Sequence, residues 1–208
     1  MAGLDTRIPY LALLVAVGLG RLLEIRLSRR HARALEARGF RREPERGFVV
    51  MVALHTGVLL GAAVEVLVAD RHPPALLAVV ATTLFVLSNV LRWWVIRTMA
   101  GHWNVRVVNA LPMGVVTRGP FRWVRHPNYV AVFVELLALP LIHAAYVTAA
   151  VGVVAHIIVL ARRIALEERV LFTDANYRTQ MGGKPRFLPR PWMAGPRDGA
   201  ATTEARHG

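Results

Sequence analysis

Three blocks of this chain are apolar over the length of a lipid bilayer, and a fourth is longer still. They run from Ile8 to Leu27, Phe48 to Ala69, Ala75 to Ile96 and Val130 to Ala161. A hydrocarbon core of ~30 Å takes about 20 helical residues to cross, so the first three blocks read as single membrane helices. The fourth is too long for one span and short for two. Pro140 near its middle, followed by His143, divides it. It reads as a helical hairpin, either two tilted spans or a shallow re-entrant pair, with its halves joined around Pro140 to Tyr146. The expected fold is therefore an all-α integral membrane protein with about five transmembrane segments, the last two forming a helical hairpin.

Charge placement orients this scheme. The chain has 208 residues and a formal net charge of +13, from 26 Lys+Arg against 13 Asp+Glu, and Lys184 is the one lysine. Eight arginines lie between Arg26 and Arg46, while the short loop from Asp70 to Pro74 holds one. The loop from Arg97 to Arg125 and the tail beyond Arg162 are also basic. The positive-inside rule places these basic segments in the cytoplasm, which puts the N-terminus outside. A hairpin returns to the side it left, in agreement with the basic tail. Because the arginines sit between apolar blocks, topology accounts for them and no nucleic-acid partner is expected. The segment from Ile8 to Leu19 has a weak charged flank and no small-residue cleavage pattern, and reads as a retained first helix rather than a signal peptide. The absence of cysteine removes disulfides, thiolate metal sites and cysteine nucleophiles. Residues 1–194 read as one domain, and the Gly/Ala/Thr-rich end at 195–208 as a disordered tail.

Two polar elements flank the hairpin. The first is Gly119-Pro120-Phe121-Arg122-Trp123-Val124-Arg125-His126-Pro127-Asn128-Tyr129. The second is Arg162-Arg163-Ile164-Ala165-Leu166-Glu167-Glu168-Arg169-Val170-Leu171. A hairpin brings its own ends together, so the Arg and His donors of one should meet the carboxylates of the other. Read singly, these residues have plain structural roles as well. Arg122, Arg125 and His126 suit interface anchors, and Pro127 suits the first position of a helix. Arg163 and Glu167 suit a surface ion pair, and the tryptophans an aromatic belt. His55, Glu65 and His156 read as structural or interfacial, and the histidine spacing offers no metal site. Glu135 lies about two turns into the hairpin; an acid at that depth is a functional candidate, with pairing to His143 or Arg92 equally open.

The run Arg125-His126-Pro127-Asn128-Tyr129, then a hairpin, then Glu167-Glu168 with Leu171, resembles the isoprenylcysteine carboxyl methyltransferase family. The approach from Arg92-Trp93 to Gly101-His102-Trp103 is similar too, and the likeness covers roughly residues 87–190. The resemblance implies S-adenosylmethionine as cofactor, in a pocket formed by the cytoplasmic loop and the C-terminal helix. It carries cofactor contacts onto Met113, Gly114, Val115, Val116, Phe121, Arg125, His126, Pro127, Asn128, Tyr129 and Glu167. It carries substrate binding onto Arg163; Glu135 is a further expected substrate contact as an acid at membrane depth, and Arg163 and Glu168 are the expected catalytic residues. Met113 stands where eukaryotic members have histidine, and Ala131 where a glycine is usual. The run from Arg125 to Pro140 looks more like a bacterial branch, some members of which methylate alkylpyrones or alkylresorcinols, so a bacterial plasma membrane is expected. The implied activity is methyl transfer to a carboxyl, phenol or enol oxygen of a lipophilic small molecule or prenylated substrate, in which positioning supplies much of the catalysis. A carboxylate acceptor needs only a cation to hold it; a phenol or enol needs help with its proton, from His126 or Glu168. A membrane reductase using NADPH and a non-enzymatic membrane scaffold are the alternative readings.

Overall fold

The computed structural model of the chain describes residues 6–37, 39, 47–69, 71–104 and 114–189. Its helices are α1 (Arg7–Glu36), α2 (Gly47–Ala69), α3 (Ala75–Met99), α4 (Pro127–Leu141), α5 (Tyr146–Leu171) and the short α6 (Ala175–Met181). Single 3-10 turns occur at Ala100–His102 and Gly119–Arg122, and no strand occurs among the described residues. Helices α1, α2, α3 and α5 are long and apolar enough to cross a membrane, and α4 is a shorter apolar helix. The architecture is thus the all-α membrane fold that the apolar blocks imply. Leu67, Val68, Leu76, Val79, Val90, Val147, Val151 and Val154 are all exposed, as side chains facing lipid are. The disordered tail expected at 195–208 lies outside the described residues.

The first helix differs from its sequence reading. The stretch from Arg26 was expected to be a loop, yet α1 continues to Glu36, a length of 30 residues or about 45 Å. The reason is local. From Arg26 to Glu36 there is no Gly or Pro, and Arg, Leu and Ala are strong helix formers. Ser28, Ala32 and Leu35 recur on one face and are buried, so the extension packs against the rest of the protein.

The hairpin is formed by α4 and α5, turning over residues 142–145. Pro140 stands in the last turn of α4, where it has no N–H to continue the helix. Its carbonyl instead accepts from His143 N at 3.4 Å and from Ala145 N at 3.0 Å. Ala144 takes a left-handed conformation with φ 57° to complete the reversal. The start of α5 is then capped from a neighbouring helix: the Glu65 carboxylate of α2 accepts from the backbone N–H of Val147 at 3.1 Å and of Thr148 at 2.8 Å. A carboxylate there satisfies otherwise orphaned donors and opposes the helix dipole. Helices α2 and α5 approach closely where Gly152 faces Val58; a β-carbon at Gly152 would lie 2.8 Å from a Val58 methyl. Both polar elements read as flanking the hairpin prove to be its ends, since α4 begins at Pro127 and α5 runs on to Leu171.

Four charges meet inside the bundle. Arg21 Nη1 donates to both Glu24 oxygens at 2.9 and 2.8 Å, and its Nη2 to Glu135 at 2.9 and 3.1 Å. Arg92 closes the ring, with Nε on Glu24 at 3.0 Å and Nη1 on Glu135 at 3.2 Å. Glu24, Arg92 and Glu135 are buried. The ring is neutral and ties α1, α3 and α4 together. Removing one member leaves its partners charged and unmatched, which in a buried pair costs about 3–5 kcal/mol. Glu135→Ala is expected to lower detergent-phase unfolding stability on that scale, and a thermal melt indistinguishable from the parent protein's would show the ring to be dispensable.

Candidate functional site

The N-terminus of α4 and the C-terminal half of α5 face each other across the base of the hairpin. Pro127 occupies the first turn of α4, where its fixed φ suits a helix start, and this aims Asn128 and Tyr129 at α5. On α5, Arg163 and Glu167 are one turn apart and share a face. The buried Tyr129 hydroxyl sits between them. It donates to Glu167 Oε2 in a short hydrogen bond and accepts from Arg163 Nε at 3.0 Å. The two α5 residues, open to reading as a plain surface ion pair, are therefore bridged by a phenol from the other arm of the hairpin.

These residues line a cavity of about 230 Å³. Its upper wall holds Gly114, Val115, Val116, Phe121, Arg125, His126, Pro127, Asn128, Tyr129, Arg163 and Glu167, so eleven of the residues singled out from the sequence converge on one space. Met113, expected beside them, lies outside the described residues. Gly114 has φ +97° and, among the described residues, no atom within 4 Å of where a side chain would start, which leaves room beside its backbone for a ligand. Asn128 Oδ1 is buried without a hydrogen-bond partner among the described residues. The aromatic floor under Phe121 is built by Trp103, Tyr177 and Met181 against Val95 and Ile96 of α3. Burial pushes the Tyr177 hydroxyl up, out of the range in which it ionises.

Gly119 fixes the turn that carries Phe121. Its φ is +58°, and a β-carbon there would lie 2.5 Å from Thr98 Oγ1. Both the conformation and the close approach require glycine.

Two expected site residues are held elsewhere. Glu135, expected to touch substrate, does not line the cavity, because Arg21 and Arg92 occupy both its oxygens. Its pairing with Arg92 was one of the open readings. Glu168, expected to be catalytic, does not line the cavity either. It bonds His126 Nε2 at 3.1 Å and Arg186 at 2.6 to 3.1 Å, and Arg125 Nη2 lies 3.2 Å away. Three cationic or donor groups thus saturate it. Donating to the Glu168 carboxylate holds the Arg186 guanidinium still further into its charged form.

Glu168 anchors a strap that sequence reasoning missed. Arg125 N donates to Pro185 O and His126 N to Arg186 O, each at 2.9 Å. Lys184 Nζ donates to the Phe121 carbonyl at 2.8 Å, and burial draws its pKa down. The chain after α6 therefore lies along the 121–126 segment and backs it. A lone lysine in an arginine-rich chain was the available signal. Also missed were deeper wall residues: Glu24, Met51, His55, Arg92 and His156 line the same cavity. His55 and His156 were read as structural because nothing in their spacing ties them to the motif.

Comparison with known proteins gives a family match and two relatives. Residues 79–173 match the isoprenylcysteine carboxyl methyltransferase (ICMT) family, a stretch that takes in most of α3 and all of α4 and α5. An uncharacterised protein of Bacillus subtilis (strain 168), YpbQ, is 27% identical over 152 residues, covering 73% of this chain and 89% of that protein. An uncharacterised protein of Haemophilus influenzae is 27% identical over 155 residues, covering 73% of this chain and 88% of it.

Tyr129→Phe removes the hydroxyl between Arg163 and Glu167 and leaves both with an unmade bond. A buried group left unsatisfied costs about 1–3 kcal/mol. The variant should melt earlier by that amount, and an unchanged melt would mean that the bridge contributes nothing.

Proposed function

We propose that this protein, a membrane protein whose residues 79–173 match the ICMT family, transfers a methyl group from S-adenosylmethionine to a carboxyl, phenol or enol oxygen of a lipophilic substrate. The observation that carries the reading is the meeting of Tyr129, Arg163 and Glu167 at the wall of one cavity with the Gly114–Val116 and Phe121–Tyr129 segments. The residues fit such a cofactor. A nucleoside bearing an amino acid needs a carboxylate for its hydroxyls or ammonium, a cation for its carboxylate, and aromatic surface for its base. Glu167, Arg125 and the Phe121–Tyr177 surface offer these, and the partnerless Asn128 Oδ1 and open Gly114 backbone add ready polar contacts. When bound, the cofactor supplies a methyl group on a positively charged sulfur, so that the carbon is open to attack by oxygen.

The chain's own part is positioning. Arg163 holds the acceptor oxygen, with its guanidinium oriented by the Tyr129 hydroxyl. Glu167 holds the cofactor one helical turn away, so both reactants are referred to one rigid element. Alignment of this kind is worth roughly 7–11 kcal/mol of barrier. His126, Glu168 and Arg186 act as positioning residues that clamp the start of α4 to the strap. The basic loops and tail orient the cavity mouth to the cytoplasm, with the N-terminus outside, in the plasma membrane of a bacterium. The substrate is a lipophilic small molecule or prenylated acceptor drawn from the bilayer.

The test is ligand-dependent stability of the purified, detergent-solubilised protein. S-adenosylhomocysteine at 100 times its dissociation constant should stabilise it by about 2.7 kcal/mol. Stabilisation by NADPH instead would indicate a reductase, and stabilisation by neither a scaffold. Glu167→Ala should weaken S-adenosylhomocysteine by about tenfold or more, or 1.4 kcal/mol, while still inserting. Arg163→Ala should keep cofactor affinity and lose turnover; normal turnover in that variant would reduce Arg163 to a structural role.

A further inference from the structure

The cations of the interior and of the strap are matched by carboxylates. Arg21 and Arg92 face Glu24 and Glu135, and Arg125 and Arg186 face Glu168. A second group of arginines, outside the cavity, is not matched in this way. Arg97, Arg118 and Arg122 are exposed, and none of them pairs with a carboxylate among the described residues. The fold gathers them at one corner. Arg97 belongs to the last turn of α3. Gly119, next to Arg118, abuts Thr98, next to Arg97, so closely that a β-carbon would lie 2.5 Å from the Thr98 hydroxyl. Arg122 closes the same 3-10 turn.

Aromatic rings hold this corner. Trp94 of α3 meets Trp123 edge-on, with ring centroids 5.8 Å apart and planes at 73°. The Arg122 guanidinium lies over the Trp123 ring, 4.8 Å from its centroid. Trp94 and Trp123 nevertheless stay 44% and 43% exposed. Arg97 follows Trp94 by three residues, which puts both on one face of the helix. The depth of the corner follows from the length of α3. Trp94 lies 19 residues after Ala75, or about 28 Å along the axis, and a hydrocarbon core is ~30 Å thick. The indoles therefore stand where the hydrocarbon ends, and the arginines just beyond it, at the level of lipid phosphates.

We propose that Arg97, Arg118 and Arg122, with the Trp94–Trp123 pair, form a seat for the head group of an anionic phospholipid. The arginines donate to its phosphate in charge-assisted hydrogen bonds. The indoles pack on the glycerol region, the depth that tryptophan favours. A lipid fits better than a soluble anion because one molecule then covers both the cations and the exposed rings. Each arginine near an anionic surface is worth about fivefold in affinity. The turn that carries Arg122 also carries Phe121 to the cavity wall, so a seated lipid ties the cavity mouth to the membrane surface. None of this depends on the methyl-transfer reading.

The experiment uses the full-length protein in mixed micelles with phospholipids whose brominated acyl chains quench tryptophan on contact. Brominated phosphatidylglycerol should reach half-maximal quenching at about one tenth the mole fraction that brominated phosphatidylcholine needs, or less. In Arg118→Gln/Arg122→Gln this preference should fall by about fivefold or more. Arg29→Gln/Arg30→Gln, which removes two exposed arginines of α1 instead, should change it by less than about twofold. Trp123→Phe, which leaves the charge unaltered, should remove much of the quenching specific to phosphatidylglycerol. Inorganic phosphate should relieve that quenching no more than sodium chloride of the same ionic strength. Equal quenching by the two lipids in the parent protein would overturn the proposal. So would a preference untouched in Arg118→Gln/Arg122→Gln, or one lowered as much in Arg29→Gln/Arg30→Gln, which would mean attraction to the basic surface at large. Quenching that survives Trp123→Phe in full would place the lipid elsewhere, and specific relief by inorganic phosphate would make the corner a site for soluble anions. The lipid comparison in the parent protein and the Trp123→Phe result decide the matter even if the arginine variants do not insert.

Discussion

A single hydroxyl joins the two ends of the last hairpin. Tyr129 at the start of α4 touches both Arg163 and Glu167 near the end of α5, and the cavity is organised around that junction. The junction in turn depends on the reversal at the other end of the hairpin. Pro140 stops the backbone ladder, its carbonyl gathers two N–H groups, and Ala144 adopts positive φ. The Glu65 carboxylate of α2 then caps the helix that leaves the turn. Because both arms are rigid helices, closing the turn at one end sets the separation of side chains at the other.

Lipid makes that closure a matter of charge as well as shape. Unmatched polar groups are costly in hydrocarbon, and the interior holds a neutral ring of two arginines and two glutamates drawn from three helices. This ring holds α1 and α3 against α4 and places Arg92 and Glu24 at the inner wall of the cavity. Moving from mouth to inner end, the wall changes from a mixed donor set around Glu167 to the matched ring and then to the imidazoles of His55 and His156. At the mouth, the strap from Lys184 to Arg186 lies against the 121–126 segment through backbone hydrogen bonds and the Glu168 carboxylate. Glu168, expected to act on the substrate, instead bonds His126 and Arg186 at this seam.

Much of this was legible in the residues. The apolar blocks, the proline-centred division of the fourth and the Arg125–Tyr129 and Glu167–Glu168 runs located both arms of the hairpin and the wall of the cavity. Other features were not legible, for identifiable reasons. The extension of α1 to Glu36 escaped because an arginine-rich stretch reads as a loop when topology is the question, although its helix propensity points the other way. The strap escaped because short segments without periodicity carry no signal until something pairs with their backbone. Glu135 and Glu168 drew attention as carboxylates, but whether an acid faces a ligand or an arginine depends on residues far away in the chain.

The sequence by itself determined the fold class and the approximate position of the site, because bilayer length, hydropathy and a contiguous motif are local properties of the chain. Only the tertiary structure decided which groups remain open to a ligand. Glu135 is matched by Arg21, 114 residues distant, and by Arg92, 43 residues distant, whereas His156 finds no hydrogen-bond partner among the described residues. Those outcomes follow from which helix faces meet when the bundle closes, and no local pattern encodes that.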